Sequence, residues 1–145
     1  MTVAAVLKQK GNAIISVMPE ATIQDVADLI TSRRIGALVV TDAHQMIIGI
    51  VSERDVVKAI ALHKAAALGM TAAQLMTPNP VTAAPNTTVD EAMQIMDAGY
   101  FRHLPVVDQG KLVGIISVRD LVKYRIMQQK ADLENLTSYI FRIGS

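Results

Sequence analysis

An α+β fold built from two copies of one small β–α unit, packed as a pseudo-twofold pair and followed by a long C-terminal helix, is predicted by three observations. The 145-residue chain repeats itself in order along its length. Each copy alternates short β-branched runs with apolar residues at helical spacing. The last stretch, from Arg119 to the residue before Gly144, holds neither Pro nor Gly and carries one continuous helical pattern.

The repeat rests on three aligned segments. Thr22-Ile-Gln-Asp-Val-Ala matches Thr88-Val-Asp-Glu-Ala-Met, and Leu38-Val-Val-Thr-Asp42 matches Leu104-Pro-Val-Val-Asp108. Gly49-Ile-Val-Ser-Glu-Arg-Asp-Val-Val-Lys58 matches Gly114-Ile-Ile-Ser-Val-Arg-Asp-Leu-Val-Lys123. Upstream, Thr2–Leu7 matches Thr71–Met76 more weakly. Preserved order marks duplication.

Taken along the chain, each copy opens with a short strand, at Ile14–Val17 and at Pro80–Ala83, that leads through a Pro turn into a helix. The helices, predicted over Ile23–Ser32 and Val89–Ala98, carry apolar residues at Ile23, Val26, Ala27 and Ile30 and at Val89, Ala92, Met93 and Met96. That is the i, i+3, i+4, i+7 stripe of a helix with one buried face. β-rich runs follow at Ala37–Thr41 and Leu104–Val107, then turns at Asp42–Gln45 and Asp108–Lys111, then strands at Met46–Val51 and Leu112–Ile116. Ser52 and Ser117 open the second helices. The spacing predicts a first domain over 1–62, a linker over 63–70, a second domain over 71–124 and a helical extension over 125–145. Neither copy alone can cover both faces of so small a sheet, so the two are expected to pair through their sheets.

The terminal helix places Val122, Ile126, Leu133, Leu136 and Ile140 on one near-heptad stripe, interrupted by Gln129. Such a helix either lies along its own domain or packs against a second subunit. The pattern alone admits both.

Composition narrows the function classes. Hydrophobic residues make up 51% of the chain, enough for one proper core, and aromatic residues only 3%, so Val, Ile, Leu, Ala and Met supply the apolar surface. Lys plus Arg is 14 against 13 acidic residues. Without a basic excess, nucleic acid is not expected as a partner. The absence of Cys excludes disulfides and thiolate chemistry, and fits a reducing cytoplasmic compartment. No signal-peptide pattern or membrane-length apolar run is present, so no membrane association is expected. His44 and His63 have no partner at metal-ligand spacing, and no metal or catalytic cofactor is implied.

Two segments can carry chemistry. Ser52-Glu-Arg-Asp55 and Ser117-Val-Arg-Asp120 are capping patterns, which by themselves explain the Ser and the Asp. Capping does not require Arg54 or Arg119. A carboxylate beside a hydroxyl at a helix start can also accept the two hydroxyls of a ribose, and a helix N-terminus with an Arg suits a nearby anion. Both readings stand at this point. Arg102-His103-Leu-Pro105 is either a solvated strand edge limited by proline or a phosphate clamp. The first copy has Ile35-Gly-Ala-Leu38 there, preceded by Arg33-Arg34, so the two copies are not expected to form equal sites. No nucleophile–base constellation or phosphate loop is present.

The doubled Gly-Ile-(Val/Ile)-Ser-x-Arg-Asp, the Leu-Met-Thr-Pro at Leu75–Pro78 and the Arg102-His-Leu-Pro-Val-Val-Asp108 resemble the cystathionine-β-synthase (CBS) domain. Two in tandem resemble a Bateman module, over nearly all of residues 1–123. The resemblance implies a regulatory module, not an enzyme, that binds AMP, ADP or ATP in clefts between the two domains and acts on another protein. Asp55 and Asp120 would hold the ribose, with Ser52 and Ser117 alongside. Ser16–Val17 and Thr82–Ala83 would border the adenine. Arg102, His103, Arg54 and Arg119 would contact phosphate, and Arg34 would be a weaker contact. S-adenosylmethionine is the alternative ligand, and a structural dimerisation module with degenerate clefts the alternative role. Such pairs commonly form homodimers, which would give the terminal helix a partner.

Overall fold

The computed structural model describes residues 1–11 and 13–144. The first copy contains α1 (Val3–Lys10), β1 (Ser16–Val17), α2 (Ile23–Arg33), β2 (Ala37–Thr41), β3 (Ile47–Ser52) and α3 (Glu53–His63). A 3-10 helix over Lys64–Gly69 connects it to the second copy: α4 (Ala72–Leu75), β4 (Thr77–Pro78), α5 (Val89–Gly99), β5 (His103–Asp108), β6 (Lys111–Ser117) and α6 (Val118–Gly144). No described helix is long and apolar enough to cross a membrane.

Helix starts are set by side chains. The hydroxyls of Thr2, Thr22, Thr71 and Thr88 each accept an amide hydrogen from the first turn of their helix, satisfying a donor the helix itself leaves free. The equivalent helices α2 and α5 both end on a left-handed residue, Arg34 (φ 53) and Tyr100 (φ 57).

β1 pairs parallel with β2, and β2 antiparallel with β3. β5 pairs antiparallel with β6. Both hairpins shift register at the same place, after Val40 and after Val106. The strand expected over Pro80–Ala83 is reduced to a parallel bridge between Ala83 and Val106. There the Ala83 amide donates to the Pro105 carbonyl and its carbonyl accepts from Val107.

The two copies exchange their leading helices. Val3, Val6 and Leu7 of α1 belong to the second core, with Val89, Met96, Leu104, Ile116 and Leu121. Ala72, with Leu75 and Met76 packed against it, belongs to the first core, with Ile23, Val26, Leu38, Val51 and Val56. β4 adds itself to the edge of β3. Antiparallel bridges Thr2–Thr88 and Thr22–Thr71 mark the exchange on both sides.

Gly49 and Gly114 permit it. A Cβ at Gly49 would lie 2.7 Å from Met76 Cγ, and one at Gly114 would lie 2.7 Å from Leu7 Cδ2. A larger side chain at Gly49 must push the α4 end of the chain off its strand. Gly49→Val is expected to lower unfolding free energy by about 1–3 kcal/mol, typical of overpacking. A urea midpoint equal to that of the parent would refute it.

α6 touches α1, α5 and β6, and Arg125 pairs with Asp90 of α5. Leu121 is its buried residue. From Gln129 to Gly144 every residue is exposed. The heptad stripe is open to solvent, from 42% exposure at Val122 to 64% at Leu133. Of the two sequence readings, a helix lying along its own domain does not describe this half of α6.

Candidate functional site

A cleft of about 660 Å³ runs between the copies. One wall comes from the end of β3 and the start of α3. The Asp55 carboxylate accepts through Oδ2 from the Ser52 amide (2.8 Å) and hydroxyl (3.1 Å). The Ser52 hydroxyl in turn accepts from the Asp55 amide (3.3 Å). Asp55 Oδ1 takes no part in these bonds. The hydroxyl is committed to the cap, so it is held as a fixed dipole. Arg54 lies on the same wall, and the α3 N-terminus adds a partial positive charge.

The other wall is supplied by the second copy: Thr77, Asn79, Pro80 and Val81, then Tyr100, Phe101, Arg102 and His103. Ile50, Val57, Pro80, Val81 and Phe101 give the cleft its apolar surface. Gly36 closes one side, because His103 Nε2 lies 2.7 Å from where a Gly36 Cβ would stand. The cleft thus holds a helix-capping carboxylate, the Arg102 guanidinium and the His103 imidazole, with apolar surface alongside.

Burial pushes the His103 imidazole below its ordinary range near 6.5. The Lys10 and Arg102 charges act in the same direction, and Asp120 and Glu53 oppose them. A neutral imidazole is therefore favoured in the fold. The unfolded chain takes up this proton first as pH falls, so stability declines as pH drops through and below about 6.5. His103→Gln is expected to flatten the fall in thermal midpoint between pH 7 and pH 5. An unchanged slope would contradict this.

The pseudo-equivalent groups of the second copy are arranged differently. Asp120 Oδ2 accepts from the Ser117 amide (2.8 Å), and the Ser117 hydroxyl accepts from the Asp120 amide (3.1 Å). The same carboxylate oxygen also accepts from Lys10 Nζ at 2.8 Å. Burial raises the Asp120 pKa, but the Lys10 and Ser117 hydrogen bonds and the Lys10 charge outweigh it and hold it below the usual carboxylate range.

Of the residues singled out by sequence, the cleft brings together Ser52, Arg54, Asp55, Arg102 and His103. It combines the first copy's Ser-x-Arg-Asp with the second copy's Arg-His. Ser117 and Asp120 lie beside Lys10, and Arg119 is exposed on α6. Val17 and Ala83 are buried in the two cores, Ser16 and Thr82 are exposed next to them, and Arg34 caps α2. None of these five lines the cleft. Sequence reasoning missed Gly36, Tyr100, Phe101, the 77–81 segment and Lys10. Extending the Leu7/Met76 alignment by three residues sets Lys10 against Asn79, a difference visible in sequence once the exchange is known.

Comparison with known proteins agrees with this architecture. The CBS domain family model matches residues 11–62 and 72–126. A CBS-domain-containing protein of Agrobacterium tumefaciens is 44% identical with a TM-score of 0.83, the match covering 86% of this chain and 92% of that one. A CBS-domain protein of Pyrobaculum aerophilum, solved with AMP, is 29% identical with a TM-score of 0.75, covering 83% and 89%. The CBS pair of a protein designated MJ0100, solved with 5′-methylthioadenosine and S-adenosyl-L-methionine, is 26% identical with a TM-score of 0.77, covering 90% and 98%. The chain spans 71% of one curated Arabidopsis thaliana relative and 19% to 22% of three others. With both halves matched and the paired fold shared, this chain belongs to the CBS-domain family as a tandem pair.

Proposed function

We propose that this CBS pair is a regulatory module that binds an adenine nucleotide (AMP, ADP or ATP) in the cleft between Ser52–Asp55 and Arg102–His103, and modulates a partner protein. The observation that carries the reading is the convergence of a capping carboxylate, the Arg102 guanidinium and the His103 imidazole on one apolar-walled cleft. Asp55 would accept the ribose hydroxyls, the apolar wall would take the adenine, and Arg102, His103 and Arg54 would meet the phosphates. The AMP held by the Pyrobaculum relative supports the ligand class. S-adenosylmethionine brings a sulfonium cation, which the Arg102 side of the cleft disfavours. The role is binding, not turnover.

Calorimetric titration with AMP, ATP and S-adenosylmethionine tests this. Nucleotide binding below millimolar concentration is expected, with S-adenosylmethionine weaker. No binding of any of them at millimolar concentration would overturn it, as would hydrolysis of a nucleotide by the purified protein.

The open stripe of α6 supports a second copy of the chain as a further partner. Leu133→Lys with Ile140→Lys is expected to halve the mass seen by light scattering, because charges at heptad core positions oppose helix pairing. A parent protein that is already monomeric would refute this.

A further inference from the structure

The surroundings of the two pseudo-equivalent carboxylates, Asp55 and Asp120, differ at Lys10. It is the last residue of α1, which has 8 residues where its counterpart α4 has 4. α4 stops because Thr77–Pro78 turns away to pair with β3, and proline cannot continue a helix. The aligned positions in the first copy are Lys8 and Gln9, and there the helix continues. Fourteen residues then separate Leu7 from Thr22, against eleven between Met76 and Thr88. The longer α1 carries Lys10 to the end of β6, where the chain at Asn79 and Pro80 instead walls the first cleft.

At that place Lys10 Nζ donates to Asp120 Oδ2 at 2.8 Å and to the Ile115 carbonyl at 2.7 Å. Asp120 is the pseudo-equivalent of Asp55, so the ammonium sits on the carboxylate that a ribose diol would use, at Oδ2, with Oδ1 outside these bonds as it is in Asp55. Among the described residues, Asp55 in contrast is bonded by its own Ser52 alone. A nucleotide entering beside Asp120 must first break two charge-assisted hydrogen bonds and move a cation. The first copy also offers no Arg-His pair to that place. The repeat aligns Gly36 and Ala37 with Arg102 and His103.

We propose that Lys10 occupies the nucleotide position beside Asp120 and makes this pair a one-nucleotide module, with Lys10 as the residue that sets stoichiometry. The inference rests on the nucleotide reading of the first cleft. It makes a claim the duplication by itself opposes: two Ser-x-Arg-Asp segments, one ligand.

The test is calorimetric stoichiometry with AMP on the parent chain and on Lys10→Met, which keeps the aliphatic stem and removes the donors. Lys10 is partly exposed at a helix end (side chain 36% accessible), and circular dichroism confirms the fold of the variant. The parent should bind one AMP per chain and Lys10→Met two, the new site weaker by about tenfold or more for want of a first-copy counterpart of Arg102–His103. The double variant Lys10→Met, Asp55→Ala should keep that new site alone. Two AMP bound by the parent, or one by Lys10→Met, overturns the proposal while leaving the nucleotide reading in place. Weaker binding at the original site in Lys10→Met also overturns it, since Lys10 would then be a ligand contact. If neither protein binds AMP, the nucleotide reading falls and takes this proposal with it. AMP bound by Lys10→Met alone would overturn both the one-nucleotide proposal and the reading of the first cleft.

Discussion

Asp55→Ala is expected to weaken adenine-nucleotide binding by about 100-fold or more, and it is the largest single-residue effect on binding foreseen. Two hydroxyl hydrogen bonds to a charged acceptor are lost, each worth about 1.5–3 kcal/mol, and about 1.4 kcal/mol corresponds to tenfold. The same substitution removes one capping interaction, at a cost of about 1 kcal/mol to the fold. The two effects separate experimentally. Calorimetry reads the affinity, and urea unfolding reads the cap. Unchanged affinity beside a lowered urea midpoint would show that Asp55 serves α3 only. Ser52 and Asp55 bond each other, so Ser52→Ala should give a smaller loss by loosening the carboxylate.

Removing residues 1–10 is expected to unfold the second copy although the deleted segment precedes the first. Val3 is 0%, Val6 2% and Leu7 8% exposed, and all three sit in the second core. Full burial of such side chains is worth roughly 1.5–3 kcal/mol each, a large part of the 5–15 kcal/mol that typically holds a domain together. Leu7→Ala by itself should cost about 2–4 kcal/mol. In the truncated chain, amide exchange should rise first across β5 and β6. Protection there equal to the parent's would mean that α1 is an accessory and the exchange of helices is not structural.

Much of the fold was legible because the repeat and the periodicities are local. Helix α2 starts at Ile23 and α5 at Val89 where the Thr caps place them, and β2 spans the same Ala37–Thr41 that its β-branched run indicates. The leading strand of the second copy was less legible. Pro80 and Pro85 flank it, and a proline offers no ladder donor. Which copy each leading helix serves was not legible at all. α1 and α4 are apolar enough for either core, and the choice depends on the room that Gly49 in β3 and Gly114 in β6 leave.

The candidate site divides in the same way. Ser52, Asp55, Ser117 and Asp120 stand out in sequence because a cap is a contact over three residues, and Arg102–His103 because it is a polar pair at the start of an apolar strand. Their chemical types, and the expectation that the two copies differ, follow from the chain alone. The partnership of Asp55 with Arg102 and His103 does not, since it spans the two copies. Nor does the engagement of Asp120 by Lys10, which are 110 residues apart. By itself the sequence determined the duplicated elements, their caps and the stock of ligand-binding groups, all set by interactions within a few residues. Only the tertiary structure decided how those groups pair, because the exchange of helices brings a loop of one copy, or a lysine of the other, to each capping carboxylate.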